Sequence, residues 1–150
     1  MKICCFAGHA NIPDREELKI KLKKEIINLI EKENVATFYS GGKGAFDWLC
    51  AETVNEFRAD YPFIKSYWVL SYMPKEKDEF PSWLLPMFDS SVYPNIEKVP
   101  KRFAIVKRNE WLVNNSDFLI AYVKHDLGSG AYKTLKYAQK KKHIKVINIA

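Results

Sequence analysis

The sequence predicts an α/β fold: a Rossmann-like, doubly wound, mainly parallel sheet of about five strands with flanking helices. Three observations carry this reading. Short apolar runs alternate with longer amphipathic stretches in the order β-α-β-α-β over residues 2–72. The stretches between the runs are long enough for the crossovers that parallel strands require. Two apolar runs each lead into a glycine-bearing turn and then a helix, at Ser40-Gly41-Gly42-Lys43-Gly44 and at Gly128-Ser129-Gly130. In a doubly wound sheet such turns share the carboxyl edge, where ligands bind if the strand order reverses.

The first run, Lys2 to Ala7, ends at Gly8-His9 and reads as a buried strand entering a loop. Pro13-Asp14-Arg15-Glu16-Glu17 opens a helix, with proline and acidic residues where helix starts favour them. Leu18, Leu22, Ile26, Leu29 and Ile30 follow at helical spacing, and each is worth roughly 1.5–3 kcal/mol when buried. Asn34 ends the helix, and Val35 to Tyr39 form the second strand. After the glycine turn, Phe46, Leu49, Cys50, Val54 and Phe57 mark the apolar side of a helix that Asp60-Tyr61-Pro62 stops. Ile64 to Tyr72, with Tyr67, Trp68, Val69 and Leu70, form a third strand rich in aromatic and β-branched residues.

Residues 73–101 break the rhythm. Pro74, Pro81, Pro86, Pro94 and Pro100 forbid a long helix, although Pro81 to Phe88 suit a short one. Trp83, Leu84, Leu85, Met87 and Phe88 make this excursion too apolar for a linker, and it is expected to cover the sheet edge or the ligand cleft. Periodicity returns in a helix from Phe103 to Asn115. Asp117 precedes a fourth strand, Phe118 to Val123. Ala131 to Lys142 form the last helix, with Leu135 and Ala138 inward, and Ile144 to Ile149 close the sheet. The expected strand order is 3-2-1-4-5, which brings Gly8-His9, Ser40 to Asp47 and Gly128 to Thr134 to one crevice. Residues 1–150 are read as one domain.

Composition narrows the function classes. A chain of 150 residues with 47% hydrophobic and 28% charged residues is neither disordered nor membrane-spanning. Met1 to Ala7 is too short for a signal sequence, and no stretch approaches the ~18 apolar residues of a membrane helix. A cytoplasmic protein without membrane partners is expected. The three cysteines lack metal-ligand spacing, since neighbouring Cys4 and Cys5 point to opposite faces of a strand, and read as buried thiols. No metal or cofactor is implied. The net charge of +6 suits either an anionic small ligand or nucleic acid. Glutamates interleave the first lysine cluster, so a continuous basic stripe does not follow from the sequence.

A strand, a glycine turn and a helix make an anion cradle, because glycine admits close approach and the first helical turn presents unpaired N–H groups. The dipole contributes only about 0.3–1 kcal/mol, so aimed hydrogen bonds must supply most of the grip. A tight turn without a ligand is the competing reading of one such cluster. Neither a phosphate-binding ATPase loop nor Gly-x-Gly-x-x-Gly is present.

Taken together, Cys5-Phe6-Ala7-Gly8-His9, Ser40 to Asp47, Lys107-Arg108-Asn109-Glu110 through Asp117, and Gly128-Ser129-Gly130 resemble a small member of the SLOG superfamily. That group is named for the Smf/DNA-processing-A proteins and the Lonely Guy enzymes. The resemblance implies a Rossmann-like sheet that binds nucleotides or nucleotide-derived ligands at its glycine loops, often as a dimer or larger oligomer. The apolar residues around Trp83 and Phe88 would suit such an interface. Carried onto this chain, it implies ligand contacts from Gly8 and His9, from Ser40, Gly41, Gly42, Gly44 and Asp47, from Arg108 and Asn109, and from Gly128, Ser129, Gly130 and Thr134. Two departures matter. Ala10 stands where the pattern usually has arginine, and no carboxylate follows Gly130 as it does in the Lonely Guy enzymes, where it would stabilise an oxocarbenium ion.

Asp47 is then the candidate catalytic carboxylate. It either accepts hydrogen bonds from ribose hydroxyls or caps its own helix. His9 is either a phosphate donor or structural; Arg108 either clamps phosphate or forms an ion pair; Asn109 reads a base or ribose, or caps a turn. Asp117 is a structural acceptor, and His125, His143, Trp48 and Trp111 serve packing or surface roles. The favoured function is binding of a nucleotide-like small molecule, as sensor or sequestering protein. A nucleotide N-glycosidase or nucleoside transferase is the second reading, and nucleic-acid binding the third.

Overall fold

Strand β1 (Lys2–Gly8) is buried along Cys4 to Ala7 because helices cover both of its faces. The computed structural model describes residues 1–71, 82–124 and 129–150. The remaining elements are α1 (Arg15–Lys32), β2 (Val35–Ser40), α2 (Ala45–Phe57), β3 (Lys65–Val69), β4 (Ser90–Val92), α3 (Ala104–Asn114), β5 (Phe118–Tyr122), α4 (Gly130–Gln139) and β6 (Lys145–Asn148). The described strands form one parallel sheet in the order β4-β3-β2-β1-β5-β6. The order reverses between β1 and β5, as the sequence implies.

Strand alternation sorts the core into two layers. Cys4 and Phe6 of β1, with Phe118, Ile120 and Tyr122 of β5, pack against Leu18, Leu22 and Ile26 of α1 and Phe46, Leu49 and Val54 of α2. Cys5, Ala7, Leu119 and Ala121 pack on the opposite face against Leu112 and Val113 of α3 and Leu135 and Ala138 of α4. Phe38 of β2 stacks on Phe6 with ring centroids 6.1 Å apart. All three thiols are buried and free. Burial pushes the Cys5 thiol up to about 12.

Helix α1 starts where Asp14 accepts the Glu17 N–H at 3.1 Å. Asp117 accepts the Ile3 N–H at 2.9 Å and so fastens the starts of β1 and β5. At the other end of β5, the Asn148 side chain bonds both the N–H and the carbonyl of Val123, at 3.2 and 2.9 Å.

Expectation and structure part in the excursion. It contributes a sixth strand, β4, so the sheet exceeds the five expected. Ser90-Ser91-Val92 carry no legible alternation; the strand exists because β3 offers an unpaired edge and Asp89 docks it. The Asp89 N–H donates to the Ser66 carbonyl and its carboxylate accepts the Ser66 N–H, both at 2.8 Å. The described helix here is a short 3-10 turn, Leu85–Met87, and Phe88 stacks on Trp68 rather than standing open for a partner. Trp83 and Leu85 are exposed. The third strand ends at Val69, short of the expected Tyr72, and Leu70 and Ser71 follow it outside the strand; Tyr72 and the first part of the excursion up to Pro81 lie outside the described residues.

Truncating Phe38 removes the centre of the layer shared by α1 and α2. Phe38→Ala should cost about 3–5 kcal/mol in urea unfolding, with an unchanged denaturant slope.

Candidate functional site

The carboxyl ends of β1, β2 and β5 open into a cleft of about 590 Å³. That volume is within the ~300–1,000 Å³ range usual for small-molecule sites. Of the residues singled out in the sequence, Gly8, His9, Gly41, Asp47, Arg108, Asn109, Ser129, Gly130 and Thr134 line it. Ser40, Gly42 and Gly44 do not, and Gly128 lies outside the described residues, as does His125.

The glycines divide into two kinds. Gly8, Gly41, Gly42 and Gly44 are glycine because neighbours stand too close for a side chain. A Cβ on Gly41 would lie 2.7 Å from the Arg108 Cζ, and one on Gly8 would lie 2.2 Å from the Phe46 ring. Gly42 and Gly44 also have φ of 65° and 99°, which side chains disfavour. Gly130 is different: a Cβ there would meet nothing within 4 Å.

The turn after β2 is not the open anion cradle its sequence suggests. The Gly42 N–H donates to Ser40 Oγ at 3.2 Å, the Lys43 N–H to Asp47 Oδ2 at 3.1 Å, and the Ala45 N–H to the Ala10 carbonyl at 2.9 Å. The Trp48 and Trp68 indoles hold the Gly42 and Gly41 carbonyls at 2.9 and 3.1 Å. Asp47, in the first turn of α2, therefore supplies the anion for this turn from within the chain. Its Oδ1 has no hydrogen-bond donor among the described residues.

Beneath the turn lies Arg108 of α3, which is 3% exposed. Its Nη1 donates to the Gly41 and Val69 carbonyls at 2.9 and 3.0 Å, and its Nε to Asn109 Oδ1 at 2.9 Å. The guanidinium is thus a structural bracket between β2, β3 and α3 that also borders the cleft. Burial pushes the Asp47 carboxyl up to about 6, against the opposing pull of the Arg108 charge and the Lys43 N–H.

The hydroxyls on α4 are engaged in the helix itself. Ser129 Oγ accepts the Tyr132 N–H at 3.0 Å, and Thr134 Oγ1 donates to the Gly130 carbonyl at 2.9 Å. What this helix turns to the cleft is its first backbone turn, where the Gly130 and Ala131 N–H groups have no acceptor among the described residues. His9 Nε2 accepts the Lys124 N–H at 3.1 Å, which leaves Nδ1 for other contacts.

Sequence reasoning missed Lys43 and Lys124, two exposed lysines on the rim, and the apolar wall of Phe6, Ile105, Leu112 and Tyr122. The signal for Lys124 was available: it lies two residues past the end of β5, on the carboxyl edge beside Gly8-His9. Asp47 is the one carboxylate among the described lining residues, set against Lys43, Lys124 and Arg108. No group of three His, Cys, Asp or Glu side chains suited to a metal gathers among the described residues. None of residues 82–101 lines the cleft, so the described part of the excursion covers the sheet edge instead.

Two outcomes follow. Gly41→Ala should destabilise the fold by about 1–3 kcal/mol through overpacking on Arg108, whereas Gly130→Ala should be neutral or stabilise by up to about 1 kcal/mol, read from thermal melts. Because Asp47 titrates higher folded than unfolded, the folded state holds the extra proton, and stability should fall as pH rises from about 4 to about 6. A rise of about two pH units at about 1.4 kcal/mol each makes this a loss of roughly 3 kcal/mol, which Asp47→Asn should abolish in urea melts across that range.

No family model matches the chain. In sequence it is similar to the UPF0398 protein BBR47_29830 of Brevibacillus brevis, 28% identical over 131 residues that cover 83% of this chain and 69% of that protein. In structure it is similar to TM1055, a structural-genomics target solved by X-ray crystallography. The TM-score is 0.56 at 17% identity, covering 92% of this chain and 68% of that one. No helix among the described residues is long and apolar enough to cross a membrane. The likeness in structure bears out the Rossmann-like α/β fold.

Proposed function

We propose that the cleft binds a nucleotide or nucleotide-derived phosphorylated ligand and that the protein acts as a sensor or sequestering protein of SLOG type. One observation carries this reading: a cleft of nucleotide size in which cationic and N–H donors surround the one carboxylate among its described lining residues. Lys43, Lys124 and the first turn of α4 form the phosphate end, where charge-assisted hydrogen bonds are strongest. Asp47 Oδ1 and the Asn109 amide suit ribose hydroxyls, and the wall of Phe6, Ile105, Leu112 and Tyr122 suits a base. The two rim lysines supply the charge that an arginine at position 10 would otherwise bring.

Calorimetry with mononucleotides, cyclic nucleotides and ADP-ribose tests this. At least one should bind in the micromolar range. Lys43→Ala and Lys124→Ala should each weaken it about tenfold, equivalent to about 1.4 kcal/mol. Gly130→Leu, which projects a side chain into open space, should abolish binding while leaving the melting temperature intact. Absence of binding to every member of the panel at high micromolar concentration would refute the proposal.

The raised titration of a cleft carboxylate also favours a second reading, nucleotide N-glycosidase chemistry, in which protonated Asp47 helps the base depart. Chromatography should then detect free base that disappears in Asp47→Asn. Bound ligand that stays whole for a day rejects the enzyme and leaves the binding protein.

A further inference from the structure

We infer that the exposed face of α4, continued into β6, is a docking surface for the phosphate backbone of nucleic acid. The argument starts from where the charge is. Residues 129–150 contain six lysines and no aspartate or glutamate, and those six equal the net charge of +6, so the rest of the chain is balanced. Lys133, Lys136, Lys140, Lys142 and Lys145 are exposed, and Lys141 is half-buried. None of the six has a carboxylate within 4.0 Å among the described residues. In α1, by contrast, two of the five lysines, Lys19 and Lys23, are paired with Glu52 and Glu56, and the helix itself carries Glu16, Glu17, Glu25 and Glu31.

Lys133, Lys136 and Lys140 recur at helical spacing on the outer face of α4, in a row about 10 Å long. Phosphates recur about every 3.4 Å along one strand, so such a row faces about three of them. Lys136 and Lys141 lie over the rings of Tyr132 and Tyr137, at 5.5 and 4.7 Å, which keeps their stems close to the helix. Tyr137 is itself pinned by Asn114 of α3 at 2.9 Å. Lys145 on the edge strand β6 also guards that edge against pairing, but a guard needs one charge and not six.

A polyanion with no apolar insertion matches this surface better than a bilayer. None of the exposed large apolar side chains among the described residues falls in residues 129–150, so a membrane would find no wedge. None of these lysines lines the cleft, whose wall α4 forms with Gly130, Ala131 and Thr134. The two surfaces are therefore separable.

Fluorescence anisotropy with labelled single-stranded and duplex DNA and RNA, alongside phosphatidylserine vesicles, provides the test. Binding in the micromolar range at about 50 mM salt should weaken with a log–log slope of about −2 to −4 for single strands, the value for three to six neutralised phosphates. The triple variant Lys133→Glu/Lys136→Glu/Lys140→Glu should lose on the order of 100-fold in affinity. The α1 variant Lys21→Glu/Lys24→Glu/Lys32→Glu, with the same change in net charge, should lose about threefold or less. The corresponding lysine-to-glutamine triples give the same contrast without charge reversal, and circular dichroism checks that each is folded. Gly130→Leu should bind nucleic acid as the parent does. Equal losses in the two triples, loss of binding in Gly130→Leu, tighter association with vesicles, or no association at low salt would each overturn the inference.

Discussion

Burial of the Arg108 guanidinium beneath the β2–α2 turn is the constraint on which the rest of the site depends. A buried cation must be answered on several sides, and here the Gly41 and Val69 carbonyls, the Asn109 side chain and the field of Asp47 answer it. Satisfying it draws α3 under the sheet's carboxyl edge and holds the turn after β2 against the end of β3. Gly41 has no side chain because the guanidinium occupies that space. Asp47 stays ionisable near neutrality because the same cation offsets part of its desolvation. Architecture and electrostatics of the cleft are in this sense one problem solved by one residue.

Two helix starts face the cleft and are used differently. In the turn leading into α2 the Gly42, Lys43 and Ala45 donors are taken up by Ser40, Asp47 and Ala10. At α4 the Gly130 and Ala131 donors meet no acceptor among the described residues, and a Cβ at Gly130 would meet nothing within 4 Å. Similar glycine patterns thus serve opposite purposes, one packing a loop shut and the other keeping it accessible.

The sheet was legible because its central strands are buried on both faces and read as continuous apolar runs, while α1 declares itself by Leu18, Leu22, Ile26, Leu29 and Ile30 at helical spacing. β4 was not, since Ser90 and Ser91 acquire strand geometry only from the edge of β3 and the side chain of Asp89. Convergence of Gly8, Gly41, Asp47 and Gly130 on one crevice was legible from strand order alone, whereas Arg108 entered only through the SLOG resemblance. The inward roles of Ser40, Gly42 and Gly44 were not, because a motif states where a turn is and not which way its amides point. Nor were the places of Lys43 and Lys124, because lysines next to a turn carry no mark of whether they border a cleft.

The loops that rim the cleft are laced to one another. Ala10 after β1 accepts the Ala45 N–H where the loop after β2 enters α2, and His9 accepts the Lys124 N–H of the loop after β5. Lengthening any one of them by a residue would shear the bonds to its neighbours. Natural insertions and grafted peptides should therefore be confined to the opposite rim, at the tight bend around Asp60, where the N–H groups of Asp60, Tyr61 and Ile64 bond to carbonyls of the bend itself.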